Sequence, residues 1–126
     1  MTFIRRQLGM DGEKTAVRYL KKHSYKIHAR NFSSRLGEID IICKKDETIV
    51  FVEVKTRTTA SFASPLEAVD KRKQHQMAKT ALCYIKTQSL FSHSFRFDVI
   101  AITGTPNKDP ELLHIENAFT VDEYMF

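Results

Sequence analysis

Apolar positions change period several times along the chain. In QLGMDGEKTAVRYLKKHSY, Ala16, Val17 and Leu20 recur at helical spacing with Glu13 one turn earlier, which predicts a first helix. Arg18, Lys21 and Lys22 fill its outer face, and cations in a last turn suit the negative end of the helix dipole. Ser24 stands where a helix commonly ends on glycine, so the stop is weakly written. YKIHARNF reads as a strand, followed by a polar turn at Ser33 and Ser34. Strands around Leu36–Cys43 and Thr48–Thr56 flank the turn KKDE, which predicts a hairpin and hence an antiparallel pair.

RTTASFASP is a loop of small polar residues. PLEAVDKRKQHQMAKTALCYIKTQ then predicts the longest helix, with Ser64 and Glu67 at capping-box spacing and Pro65 in the first helical position. Asp70 offers a second N-cap, with a break near Val69. Met77, Ala78, Ala81, Leu82 and Ile85 make the stripe expected to be buried. FRFDVIAI is nearly continuous in apolar residues and is reached through a helix, so it should run parallel to the strand that holds Glu53. ELLHIEN adds an edge strand after TGTPNKDP. The sum is an α/β fold with one central mixed sheet, and no repeats or low-complexity segments interrupt it.

A chain of 126 residues has room for one core, so a single domain is expected. Its 42% hydrophobic and 28% charged residues are those of a globular protein. No apolar stretch approaches a membrane span, and MTFIRRQLGMDGEK lacks the apolar run of a secretory signal; a cytoplasmic protein without a membrane partner is expected. Cys43 and Cys83 lie in apolar segments without metal-ligand spacing and read as buried free thiols. The net charge of +5 suits a polyanion, although many soluble proteins are modestly basic.

The sharpest chemistry lies in GEIDIICKKDETIVFVEVKTR. Alternation puts Ile49, Phe51, Glu53 and Lys55 on one strand face and Val50, Val52 and Val54 on the other. Asp40 shares a face with Glu38 and Ile42, and the hairpin can bring it beside Glu53. Two close carboxylates repel, raise each other's pKa and gain by sharing a divalent cation; oxygen ligands favour Mg²⁺ or Mn²⁺ over zinc. A lysine two residues past one ligand can stabilise charge on a transferring phosphoryl group. Glu13, on the inner side of the first helix, is a candidate further ligand. Charged residues along an exposed strand edge are also ordinary. The apolar start of the same face tips the balance towards a site, because full solvation of these groups is then awkward.

These residues resemble the core motif of the PD-(D/E)xK nuclease superfamily, which has a restriction-endonuclease-like fold. The fuller pattern is similar to the bacterial YraN family, itself akin to archaeal Holliday-junction resolvases. Its elements run in order: Gly12-Glu13 with Ala16 and Leu20, Asn31, Gly37-Glu38-Ile39-Asp40, FVEVKTR, Ala68-Val69, Lys73 and RFDV. Ile39 stands where the superfamily name has proline, and Ser24 and Ala63 stand where relatives often carry glycine.

The resemblance implies that Asp40 and Glu53 bind the metal, with the Val54 carbonyl as a third ligand, and that Lys55 is the catalytic lysine. Glu13 matches the acidic residue on the first helix of resolvase-like nucleases. The implied activity is metal-dependent DNA endonuclease chemistry, with Mg²⁺ or Mn²⁺ as cofactor and branched DNA as the favoured substrate. The competing class is a nucleic-acid-binding protein that keeps the fold without turnover. Arg35 and Arg57 read as phosphate contacts, together with Arg5, Arg6 and Arg30. Lys73 reads either as part of a solvated helix face with Lys71, Arg72 and Lys79, or as a phosphate-holding side chain turned to the site. A homodimer is the implied assembly, with the edge strand and Phe91, Phe95 or Phe119 as its contact. Asp98, in a buried strand, is expected to be a structural hydrogen-bonding residue.

Overall fold

The computed structural model describes residues 2–58, 69–104 and 109–121, with side chains from residue 12 onward. Helix α1 (Thr2–Lys22) leads into β1 (Lys26–Ser34), β2 (Gly37–Lys45) and β3 (Thr48–Thr58), followed by α2 (Lys71–Thr87), β4 (Ser94–Gly104) and β5 (Glu111–Phe119). The five strands lie in one sheet in sequence order. Neighbours are antiparallel except β3 and β4, which are parallel, as a connection through a helix requires. This is an α/β fold consistent with the restriction-endonuclease-like architecture.

Strand alternation sorts the core into two layers. On the α2 side, Ile42, Ile49, Phe51, Phe97 and Val99 meet Met77, Ala78, Ala81 and Ile85. On the α1 side, Ile41, Cys43, Val50, Val52, Ile100 and Ile102 meet Ala16 and Leu20. Phe51 is fully buried and stacks on Phe97 at a 5.5 Å centroid separation. Truncating it to alanine should cost about 3–5 kcal/mol through lost transfer energy and the cavity left behind.

Helix α1, at 21 residues, is longer than α2, at 17, which corrects the expected ranking. Helix α2 starts at the Asp70 cap, whose carboxylate accepts the Lys73 N–H at 2.9 Å. The alternative start at Ser64, Pro65 and Glu67 lies outside the described residues, as do Ala63 and Ala68. The buried stripe holds Met77, Ala78, Ala81, Tyr84 and Ile85, with Leu82 half-buried at its edge rather than within it. The turn between β1 and β2 is Arg35–Leu36, not the serines, which remain in the strand; the Ser34 hydroxyl accepts the Leu36 N–H at 3.0 Å. Cys43 is buried, but Cys83 is half-buried.

Both helices close on a serine. Ser24 adopts a left-handed φ of 69°, the Tyr25 N–H reaches the Leu20 carbonyl at 2.9 Å, and the Ser24 N–H reaches that of Lys21 at 3.2 Å. Ser89 repeats the arrangement with φ 56°, Leu90 N–H to Ile85 and Ser89 N–H to Lys86. Each is a Schellman stop built without glycine. Among the described residues no helix is long and apolar enough to cross a membrane.

Candidate functional site

Strand β3 carries its apolar α2-side face from Ile49 through Phe51 and then places Glu53 next on that face, only 4% exposed. One of its oxygens, Oε1, lies 3.3 Å from Lys55 Nζ and 3.5 Å from Lys73 Nζ. The other, Oε2, is buried without a hydrogen-bond partner among the described residues. Leaving a buried acceptor unsatisfied costs about 1–3 kcal/mol, more for a charged group, so the arrangement needs a reason.

Asp40 lies where β2 and β3 part. Their ladder ends at the pair Ile41–Val52, and continuing its register would set Asp40 opposite Glu53. Beyond the ladder, Asp40 Oδ2 accepts the Val54 N–H at 2.8 Å, taking the place of a strand partner. Strict alternation fails here. Ile39 joins Ile42 in the α2-side core, Glu38 is exposed, and the β1–β2 pairing passes from Arg30–Ile41 to Phe32–Ile39 with Asn31 in the left-handed region. Of the expected shared face of Glu38, Asp40 and Ile42, Glu38 lies outside the buried part. Burial, and next the Glu53 charge, push the Asp40 carboxyl up to about 7; the Val54 hydrogen bond and Lys73 oppose the rise, and Glu13 adds to it.

Helix α1 reaches this end of the sheet because Gly12 has no side chain. A Cβ there would lie 2.2 Å from Thr56 Cγ2, so any larger residue requires the Thr56 side chain or the helix to shift. Glu13, the next residue, is half-buried, with Arg30 Nη2 4.0 Å from its Oε2.

The structure thus brings Asp40, Glu53, Lys55 and Lys73 together, with Glu13 near enough for its charge to act on Asp40. Val54 touches Asp40 through its N–H. Of the two readings of Lys73, its turn towards the site is met, since its side chain reaches Glu53. Arg57 lies two residues beyond Lys55, half-exposed, and Arg35 is exposed at the β1–β2 turn. The side chains of Arg5 and Arg6 lie outside the described residues.

Among the described residues no group of three or more His, Cys, Asp or Glu side chains is disposed to hold a metal. A hard octahedral cation does not need three, because Mg²⁺ commonly takes one or two carboxylates and completes its shell with water and phosphate oxygens. Asp40 and Glu53, with Glu53 Oε2 lacking a donor among the described residues, fit that requirement.

A second charged cluster sits on the α1 side of β4. Asp98 is fully buried, and each of its oxygens has two donors. Oδ1 accepts from Arg96 Nε at 2.8 Å and Asn117 N–H at 3.0 Å; Oδ2 accepts from Arg96 Nη2 at 2.8 Å and His114 Nε2 at 2.7 Å. Tyr19 shares a hydrogen bond with His114 Nδ1, and Arg96 also donates to the Tyr25 hydroxyl. The expected structural role of Asp98 is met by these partners. Arg96, two residues before Asp98, was legible as a same-face opposite charge. His114 was not: the β4–β5 register shifts between Phe97 and Val99, and no sequence feature marks the shift.

The uncharacterised protein family UPF0102 matches residues 12–102, a span that holds Glu13, Asp40, Glu53, Lys55 and Lys73. A UPF0102 protein of Syntrophomonas wolfei is 47% identical over 116 residues, 92% of this chain and all of that protein. One from Geobacter metallireducens is 47% identical over 119 residues, 94% of this chain and 97% of the relative. Another, from Clostridium acetobutylicum, is 45% identical over 119 residues, again 94% of this chain and 98% of the relative.

Proposed function

The chain belongs to the UPF0102 family, which carries no assigned activity, and we propose that it hydrolyses phosphodiester bonds in DNA at Asp40, Glu53 and Lys55. The observation that carries this reading is Glu53: a buried carboxylate with one oxygen facing two lysines and the other facing no donor among the described residues. A fold keeps such a group against its desolvation cost most readily where charge has to be handled.

Asp40 and Glu53 are the residues that would hold Mg²⁺ or Mn²⁺. Bound there, the ion would supply Lewis-acid charge to a phosphoryl oxygen. Lys55, about a third exposed, is free to turn from Glu53 towards the negative charge that grows on the phosphoryl oxygens. Lys73 holds the first turn of α2 against the acidic pair and balances part of its charge while no substrate is bound. Val54 fixes the Asp40 carboxylate through its N–H, so that the second Asp40 oxygen keeps its orientation.

One observation favours a second reading, in which the protein binds nucleic acid without cutting it. Both lysines lie on one oxygen of Glu53 and partly neutralise the charge a cation would need. Incubation with four-way, flapped and linear DNA in Mg²⁺, Mn²⁺ or chelator separates the two. Cleavage that requires the ion and is lost in Glu53→Gln is the expected result. Binding without cleavage of any substrate in either ion leaves the second reading standing.

A further inference from the structure

Most cations with described partners are spent on carboxylates: Lys55 and Lys73 on Glu53, Arg30 on Glu13 and Arg96 on Asp98. One surface departs from this. A groove of about 560 Å³ between the β1–β2 turn and the outer side of α2 is lined by Arg35, Leu36, Lys71, Arg72, His75 and Lys79. No carboxylate lines it, and none of its four Lys and Arg side chains has an ion pair among the described residues. The nearest acid in sequence, Asp70, is taken by the Lys73 N–H.

The spacing is regular. Lys71, His75 and Lys79 follow at i, i+4 and i+8 on one helix, so their attachment points climb roughly 6 Å per step. That is close to two nucleotides of a strand that rises about 3.4 Å each. Leu36 adds a different chemistry. It occupies a two-residue turn, where small polar residues are the usual choice, and is 46% exposed beside Arg35. An apolar tip set among cations suits a partner that offers an apolar face next to an anion. A nucleotide does this, with a base or sugar beside each phosphate.

We propose that this groove holds the phosphate backbone of one nucleic-acid strand, with Leu36 packing on a base exposed where the duplex is interrupted. The inference rests on the nucleic-acid reading above and deepens it. Lys71 and Arg72 adjoin Lys73, so a strand in the groove leads to the acidic pair. In an intact duplex the base faces are stacked and closed to Leu36; at a nick, gap or branch one face is open, and an apolar wedge gains contact. The groove therefore supplies affinity and the leucine supplies the preference for interrupted structure.

The test is fluorescence anisotropy in chelator, where no cleavage occurs, with labelled blunt duplex, gapped duplex and four-way DNA across a salt series. Lys71→Ala with Lys79→Ala should weaken binding of all three and reduce the log–log salt slope by about 1–2. Leu36→Ser should leave the blunt-duplex affinity alone and reduce the preference for the gapped form about fivefold. Far-UV circular dichroism and the Tm confirm that these surface variants stay folded. Unchanged affinity and slope in the lysine pair would overturn the groove, and an unchanged preference in Leu36→Ser would overturn the wedge. Equal affinity for polyglutamate of matched charge would assign the surface to acidic protein instead. Failure here is separable from failure of the nuclease reading. A protein that binds through the groove and cuts nothing keeps the inference and loses hydrolysis, whereas one that binds none of the three DNAs loses both.

Discussion

The sheet buries carboxylates in two places and treats them in opposite ways. At Asp98 burial would raise the pKa, yet hydrogen bonds from His114, Arg96 and the Asn117 N–H outweigh it and hold the carboxyl below its ordinary range. An ionised carboxylate can only accept, so His114 presents a protonated Nε2 to it. At Asp40 burial and the Glu53 charge win, the carboxyl rises to about 7, and Glu53 keeps an oxygen with no donor among the described residues. One cluster is complete without anything added and ties α1, β4 and β5 together through Tyr19, Arg96 and His114. Among the described residues, the other leaves an acceptor unsatisfied. Burial of charge alone does not single out a candidate site; a buried carboxylate beside a second acid, with an oxygen unsatisfied among the described residues, does.

The comparison breaks first at Arg96. Arg96→Ala strands a fully buried carboxylate with two of its four hydrogen-bond donors gone, and should cost about 3–5 kcal/mol in urea unfolding. A cost under about 1 kcal/mol would mean that Asp98 is not held by Arg96 as described. Cleavage per folded molecule should be unchanged, since no described contact joins this cluster to Glu53. Lys55→Ala is the converse: stability should move little, because Lys55 is partly exposed, while cleavage should fall by about 10²–10³. Single-turnover rates at saturating DNA check this, and equal rates would remove Lys55 from the chemistry.

Asp40 sharpens the contrast through pH. Its folded pKa lies above the unfolded value of 3.8, so the stabilising form is the protonated one. Below 3.8 both folded and unfolded chains hold the proton and the contribution is intact. Between 3.8 and about 7 the unfolded chain releases it first, so stability falls as pH rises, and above about 7 the loss is complete. Asp40→Asn keeps an acceptor for the Val54 N–H and has no charge to bury. In metal-free buffer it should exceed the wild type by about 2–4 kcal/mol at pH 8 and match it near pH 4. A constant difference across that range would show that Asp40 titrates as an ordinary surface acid.

Much of this contrast could be read from sequence, and the unread parts have specific causes. Alternating apolar residues disclose β2, β3 and β4, their pairing senses and the place of Glu53, because a buried face imposes its period on the chain. Position of the Asp40 side chain was less legible: a left-handed Asn31 and the parting of β2 from β3 break the alternation just there. Lys73 was ambiguous because its direction depends on where α2 begins, and two caps compete in the sequence. The β1–β2 turn was misplaced by two residues since Ser33–Ser34 is the stronger turn signal, while the chain turns at Arg35–Leu36 and uses Ser34 only as an acceptor.

The smallest expected effect probes the scaffold half of the comparison at Ser24. Its left-handed φ costs a residue with a Cβ about 1–2 kcal/mol, whereas glycine meets that conformation freely and loses about 0.4–1 kcal/mol through the greater freedom of its unfolded chain. Ser24→Gly should therefore stabilise by about 0.5–1 kcal/mol, visible as a rise of a few degrees in Tm. The gain should depend on Tyr25, the next residue. Its N–H closes the Schellman stop on Leu20, and its ring is buried beside both Leu20 and the Arg96 guanidinium, so the stop and the Asp98 cluster share one residue. In an Arg96→Ala background the benefit of Ser24→Gly should shrink, since Tyr25 has lost one of its anchors, and a double-mutant cycle measures the coupling. Additive effects would separate the helix stop from the cluster and confine the scaffold to Asp98 and its direct donors. Neither change should alter cleavage or its dependence on a divalent ion, because the acidic pair at Asp40 and Glu53 draws its partners from Lys55, Lys73 and Val54.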